Sequence, residues 1–277
     1  MEKIICCNNG ALCNLIKCII SCMRLSDLKQ IPFQIIWMKS QNKVHYNFSE
    51  LFLNQFDILN KSYREFLNTD FQKNLIYKTS RLYLQHSDVP IGFSKLNRDL
   101  TGKLYHDFRH LKGRAIDHEY NRIPLNLQTI YRNYLDKLVI HPYILNSVND
   151  FIINNDLYNF TAVHCRTWNF KNLNHTPRES QRKQTIKLEE LIQKILQIPG
   201  KVFLCSDNIT LIENVKSKNN NIITRNANIT GLSPDAKDGF IDLLIASKSN
   251  CLYLTLHSTF SEIIWWYNKN NPDVYFI

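Results

Sequence analysis

The chain has 277 residues and a mass of 32.7 kDa, enough for two domains of ordinary size. Hydrophobic residues make up 44% and aromatic ones 12%, which excludes intrinsic disorder, while 7 Gly and 8 Pro exclude a collagen-like or linker-like chain. The formal net charge of +10 favours anionic or phosphorylated ligands and does not choose among them.

Taken in chain order, residues 3–7 read as a short strand, Asn8-Asn9-Gly10 as a turn, 11–25 as a helix and 33–38 as a strand. Only four apolar residues precede Asn8, too few for an export signal, and 11–25 is too short and too charged to span a bilayer. The expectation is a cytoplasmic protein without a transmembrane segment. Between 73 and 121 the periodicity weakens among scattered charges and His86, His106, His110 and His118. Helical spacing returns at Leu127, Ile130, Tyr131, Tyr134 and Leu138, and again at Ile144, Val148, Phe151 and Ile152. The connection at His141-Pro142 divides the chain into domains 1–141 and 142–277.

The second half alternates more regularly. Residues 160–165 form an apolar strand, 166–178 a polar loop, and 188–196 a helix stopped by Pro199-Gly200. Strands follow at 201–205, 222–224, 251–255 and 274–277. Helices lie between them: one capped by Ser206-Asp207-Asn208 and running to Val215, one at 239–247, one from Ser258-Thr259 to Tyr267. Strands alternating with helices predict parallel sheets covered on both faces.

Eight cysteines, at 6, 7, 13, 18, 22, 165, 205 and 251, sit inside apolar segments, as buried thiols of a reducing compartment do. On one helix the spacings of Cys13, Cys18 and Cys22 do not bring all three together, so no metal site is expected.

In open parallel sheets ligands bind beyond the carboxyl ends of the strands. At the first such end, the turn of Asn9 and Gly10 feeds a helix carrying Asn14, with N–H groups suited to an anion or a sugar hydroxyl. At the second, His164 and Arg166 alternate onto the same side of their strand's exit, and Arg166 opens the most basic stretch. From 166 to 187 there are six basic residues and one acid, Glu179. At the third, Asp207 falls within a cap. At the fourth, Ser258, Thr259 and Ser261 open a helix with hydroxyls and N–H groups that fit a phosphate or serve as a cap.

The order of these segments resembles the GDP-fucose-dependent fucosyltransferases of the α-1,6 and nodulation type, and more distantly the protein O-fucosyltransferases. Asn9-Gly10-Ala11-Leu12-Cys13-Asn14-Leu15 is similar to the family's Gly-x-Gly-Asn-x-Leu turn, with Cys13 where a second Gly is usual. Trp37 followed by Phe48-Ser49-Glu50-Leu51-Phe52 resembles its tryptophan strand and Phe-Ser-Asp-Leu-Phe segment. Val163-His164-Cys165-Arg166-Thr167 is similar to Val-His-x-Arg-Arg-Thr-Asp without the second Arg. The stretches 202–208, 242–247 and 254–261 resemble its later strand, Asp-Leu and Ser-Ser segments.

The resemblance implies a GT-B-like α/β fold, two Rossmann-like domains facing a central cleft. The N-terminal domain would bind acceptor and the C-terminal one nucleotide sugar. It implies a metal-independent inverting transfer of fucose from GDP-fucose to a glycan or other hydroxyl acceptor, with no cofactor. Carried over by motif, Arg166 would hold the donor diphosphate, His164 would lie near the nucleotide, Asp242 would accept from guanine and Ser258 would donate to a phosphate. The family's acidic base has no counterpart in Asn172-Leu173-Asn174-His175, which leaves His175 and Glu179 as candidates.

The chain contains no Asp-x-Asp motif of the kind metal-dependent transferases use. Two alternatives stand beside the enzyme: a nucleotide-sugar-binding protein without turnover, and a basic polyanion binder. The second draws on residues 95–122, with seven basic and four acidic residues, but no nucleic-acid module is recognisable and no nucleic-acid partner is expected.

Overall fold

The computed structural model describes residues 4–8, 12–30, 32–39, 46–62, 82–86, 90–91, 125–167, 188–225, 236–255 and 258–277. The chain divides into two units, one of Met1–Ile144 with Asp235–Lys237, the other of Leu145–Pro234 with Asp238–Ile277.

In the first unit β1 (Ile4–Asn8), β2 (Phe33–Lys39) and β3 (Asp57–Ser62) run parallel, β1 pairing β2 and β2 pairing β3. Two further strands, β4 (Leu82–His86) and β5 (Pro90–Ile91), extend the sheet to the order β3-β2-β1-β4-β5. Both additions are antiparallel to their neighbours, β4 to β1 and β5 to β4. The expected all-parallel sheet is therefore corrected here to a mixed one. A parallel crossover needs a helix-length connection, and the three residues between β4 and β5 allow only a reversal.

Helix α1 (Leu12–Lys29) presents Leu12, Leu15, Ile16, Ile19, Ile20 and Met23 to the core. It docks on α2 (Leu125–Asp136) through Arg24 Nη1, which donates to Tyr131 Oη at 3.1 Å, and through Asp27 Oδ2, which accepts from Tyr134 Oη at 2.8 Å. The buried Trp37 ring meets Phe48 edge-on at 5.4 Å, so the tryptophan strand and the Phe-Ser-Glu-Leu-Phe segment pack together. Helix α3 (Pro142–Asn154) begins at the proline that ended the first half in the sequence.

The second unit is built on β6 (Thr161–Cys165), β7 (Val202–Ser206), β8 (Ile222–Ile223), β9 (Cys251–Leu254) and β10 (Asp273–Phe276), all parallel. Their order is β10-β9-β6-β7-β8. Counted within the unit this is 3-2-1-4-5, a doubly wound Rossmann sheet. The central strands are near-continuous apolar runs because helices cover both faces.

Val163 and Cys165 face one layer, made by α4 (Leu188–Leu196) and α5 (Ile209–Lys216), with Leu191, Ile192, Ile195, Leu211 and Val215 in the shared core. The alternate residues of β6 face the other way, where His164 stacks on Phe260 of α7 (Thr259–Tyr267) at 4.6 Å. Gly200 takes φ +76°, which lets the chain reverse from α4 into β7 without a Cβ penalty. Helix α6 (Ala236–Ala246) buries Phe240, Ile241, Leu243, Leu244 and Ile245.

Candidate functional site

In a sheet of order 3-2-1-4-5 the connections turn in opposite directions on either side of the first strand. That parting leaves a crevice beyond the carboxyl ends of the first and fourth strands. Here these are β6 and β9, paired from Thr161–Cys251 to His164–Leu254. The residues immediately beyond are Arg166 and Thr255.

A short network fixes this exit. The backbone N–H of Arg166 donates to Thr255 Oγ1 at 2.9 Å, and Thr255 Oγ1 donates to the His164 carbonyl at 2.8 Å. The Arg166 guanidinium pairs with Asp207 at 3.2 Å, and Asp207 Oδ1 also accepts from Thr167 N at 2.8 Å and Thr167 Oγ1 at 3.1 Å. Asp207 is thereby anchored by two neutral donors and holds the cationic fork at the strand exit. The register explains the reach, since Cys165 pairs Ser206 and the next residues face each other across β6 and β7.

The cap of α5 is a separate matter. Asn208, not Asp207, accepts from the helix at Leu211 N, 3.1 Å away. Within the expected Ser206-Asp207-Asn208 cap, Asn208 is thus the capping residue. One residue earlier, Asp207 supplies a carboxylate for Arg166.

His164 is buried, and its Nδ1 lies 2.7 Å from Ser261 Oγ in the first turn of α7. Burial, and then the Arg166 charge, hold the imidazole down at about 3. It is therefore neutral at physiological pH, and the Ser261 hydroxyl gives Nδ1 its partner. Among the described residues, the cation placed at this exit is Arg166.

Ser258 is the N-cap residue of α7 and is buried, yet its side chain accepts no N–H of the first turn. Capping is not the use the structure makes of its hydroxyl. Thr259 is the first helical residue, and Ser261 is fully buried against His164.

Asp242 on α6 is engaged by Arg225, just past β8, at 3.1 Å, and the same guanidinium donates to Asp238 Oδ1 at 2.8 Å. Burial pushes the Asp242 carboxyl up to about 7, opposed by Arg225. Burial, and then the charge of Asp242, raise the thiol of Cys205 on β7. Arg225 was not among the residues expected from sequence. Its strand-exit position, parallel to that of Arg166, was the available signal.

Of the other expected residues, Asn14 lies on α1 with its side chain outside the description, and Asn9, Gly10, His175 and Glu179 lie outside the described residues. The structure thus brings His164, Arg166, Asp207 and Ser261 together through the β6 exit, puts Ser258 and Thr259 at the start of α7 after β9, and pairs Arg225, past β8, with Asp242 on α6. No described helix is long and apolar enough to cross a membrane.

No protein-family model matches the chain, and no curated protein matches it in sequence. Solved structures do match in shape. The fucosyltransferase NodZ from Bradyrhizobium superposes with a TM-score of 0.55 at 12% identity, over 95% of this chain and 91% of that one. NodZ α-1,6-fucosyltransferase soaked with GDP-fucose gives 0.56 at 12% identity, over 96% and 92%. POFUT1 in complex with GDP-fucose gives 0.53 at 14% identity, over 99% and 96%. The chain shares the GT-B fold of these fucosyltransferases along nearly its whole length.

Proposed function

We propose that the chain is a metal-independent inverting glycosyltransferase that moves fucose from GDP-fucose to a hydroxyl of a glycan or similar acceptor. In this reading residues 142–277 bind the nucleotide sugar and 1–141 the acceptor. The observation that carries it is the meeting of Arg166, the His164–Ser261 pair and the start of α7 at the switch point of a Rossmann sheet. Structural neighbours determined with GDP and GDP-fucose support the choice of donor.

Glycosyl transfer passes through an oxocarbenium-like transition state. Negative charge grows on the departing diphosphate, so donors already aimed at it lower the barrier. Arg166 supplies a planar fork, kept in place by Asp207, and α7 supplies first-turn N–H groups, the positive end of its dipole and the Ser258 hydroxyl. A neutral His164 braces α7 against β6 without repelling a cation or competing for the anion. Asp242 would accept from guanine, with Arg225 as the partner it exchanges or shares. The acceptor hydroxyl must lose its proton to a base, for which His175 and Glu179 are the candidates.

A second reading, a GDP-sugar-binding protein without turnover, is favoured by two features: residues 172–175 contain no carboxylate, and Thr167 follows Arg166 where the family has a second Arg. A thermal-shift panel of nucleotide sugars with and without EDTA tests both. Stabilisation by GDP and GDP-fucose that ignores the chelator supports the proposal, and a response only to UDP-sugars, or only with manganese, overturns it. Release of GDP from GDP-fucose then separates the enzyme from the binding protein.

A further inference from the structure

Three thiols converge in the core of the first unit. Cys18 and Cys22 stand four residues apart on α1 and so share one face. Cys6, on β1, points into that face. Cys6 Sγ and Cys18 Sγ are 3.4 Å apart, and all three sulfurs lie within 4.8 Å of one another. Relative exposures are 2%, 0% and 0%. Cys13, the helix partner weighed in the sequence, is not in the group; the strand cysteine completes it.

Packing accounts for three buried sulfurs. It does not require them to meet at one point. A thiophilic ion with bonds of about 2.3 Å to sulfur spaces its ligands about 4.0 Å apart when trigonal and about 3.8 Å when tetrahedral. The Cys6–Cys18 separation of 3.4 Å is a few tenths of an ångström shorter than either value, and no pair is more than 4.8 Å apart. From this geometry we infer that Cys6, Cys18 and Cys22 form a binding site for a thiophilic d10 cation, Cu+ or Zn2+, that staples α1 to β1.

The donor count leans towards Cu+. Zn2+ takes four ligands in structural sites, and among the described residues no fourth His, Cys, Asp or Glu joins the cluster. Thiolates are the soft donors that select Cu+. Each ligating thiol loses its proton to solvent as its sulfur–metal bond forms, and no electron moves. Proton and metal compete for each thiolate, so binding should strengthen as pH rises. The inference does not depend on the proposed activity.

The test uses the full chain, reduced and under anaerobic conditions, titrated with Cu+ against a coloured chelator and, separately, with Zn2+. The expected result is one tight equivalent of one of these ions that the C18S/C22S double variant does not take up. X-ray absorption of the loaded wild type should show three sulfur neighbours, and C22A two. Should the double variant fail to fold, the sulfur counts of wild type and C22A decide alone. Equal uptake by wild type and C18S/C22S, oxygen or nitrogen neighbours only, or a Cys6–Cys18 disulfide formed in place of metal binding would overturn the inference.

Discussion

Replacing Arg166 by alanine removes the guanidinium from the exit of β6 while leaving the surrounding network intact. Asp207 keeps both Thr167 donors, at 2.8 and 3.1 Å, and the Arg166 backbone keeps Thr255. The Arg166 side chain is 39% exposed, so its ion pair contributes under about 1 kcal/mol to stability after solvent screening. Hydrogen bonds from a cation to phosphate are worth roughly 1.5–3 kcal/mol. R166A should therefore weaken GDP binding roughly 10- to 150-fold by titration calorimetry, while urea unfolding shifts by less than about 1 kcal/mol. R166K, which keeps a charge but not the fork, should fall between. If R166A binds GDP within twofold of the wild type, or loses GDP only because it no longer folds, the diphosphate role assigned to Arg166 is wrong.

Four further outcomes are expected. The buried His164 binds its proton near 3 when folded and at about 6.5 when unfolded. The unfolded chain thus takes up more protons in the window between them. Stability is intact above pH 6.5 and falls as pH is lowered, by about 2 kcal/mol at pH 5 from this group; an H164N variant should lack that component in urea titrations at pH 7 and 5. S261A leaves His164 Nδ1 buried without its hydroxyl and should cost roughly 1–3 kcal/mol of stability. A cost within experimental error would remove Ser261 from the brace. R225A strips Asp238 and Asp242 of one shared cation and should destabilise by up to roughly 3–5 kcal/mol, and D242N should narrow the preference for GDP over ADP in competition titrations.

The second unit was largely legible because its signals are local. Apolar runs such as 202–205, the Pro199-Gly200 stop and the cap at Asn208 all act within a few residues. The mixed half of the first sheet was not legible. Leu82–His86 pairs with β1 some eighty residues earlier, and nothing local in Leu-Tyr-Leu-Gln-His encodes that partner or its direction.

The site divides along the same line. His164, Arg166 and Ser258 were visible because strand exits are predictable positions. The grip of Asp207 on Arg166 and of Arg225 on Asp242 arises from register between distant strands and helices, and the meeting of Cys6 with Cys18 and Cys22 from docking a helix on a strand. Spacing along one element is blind to such contacts.

The most direct measurement is a crystal structure of the chain with GDP bound. The expected density has the diphosphate beyond β6 and β9, its oxygens about 3 Å from the Arg166 guanidinium and from first-turn N–H groups of α7. GDP bound elsewhere, with both of those elements turned away from it, would contradict the assignment.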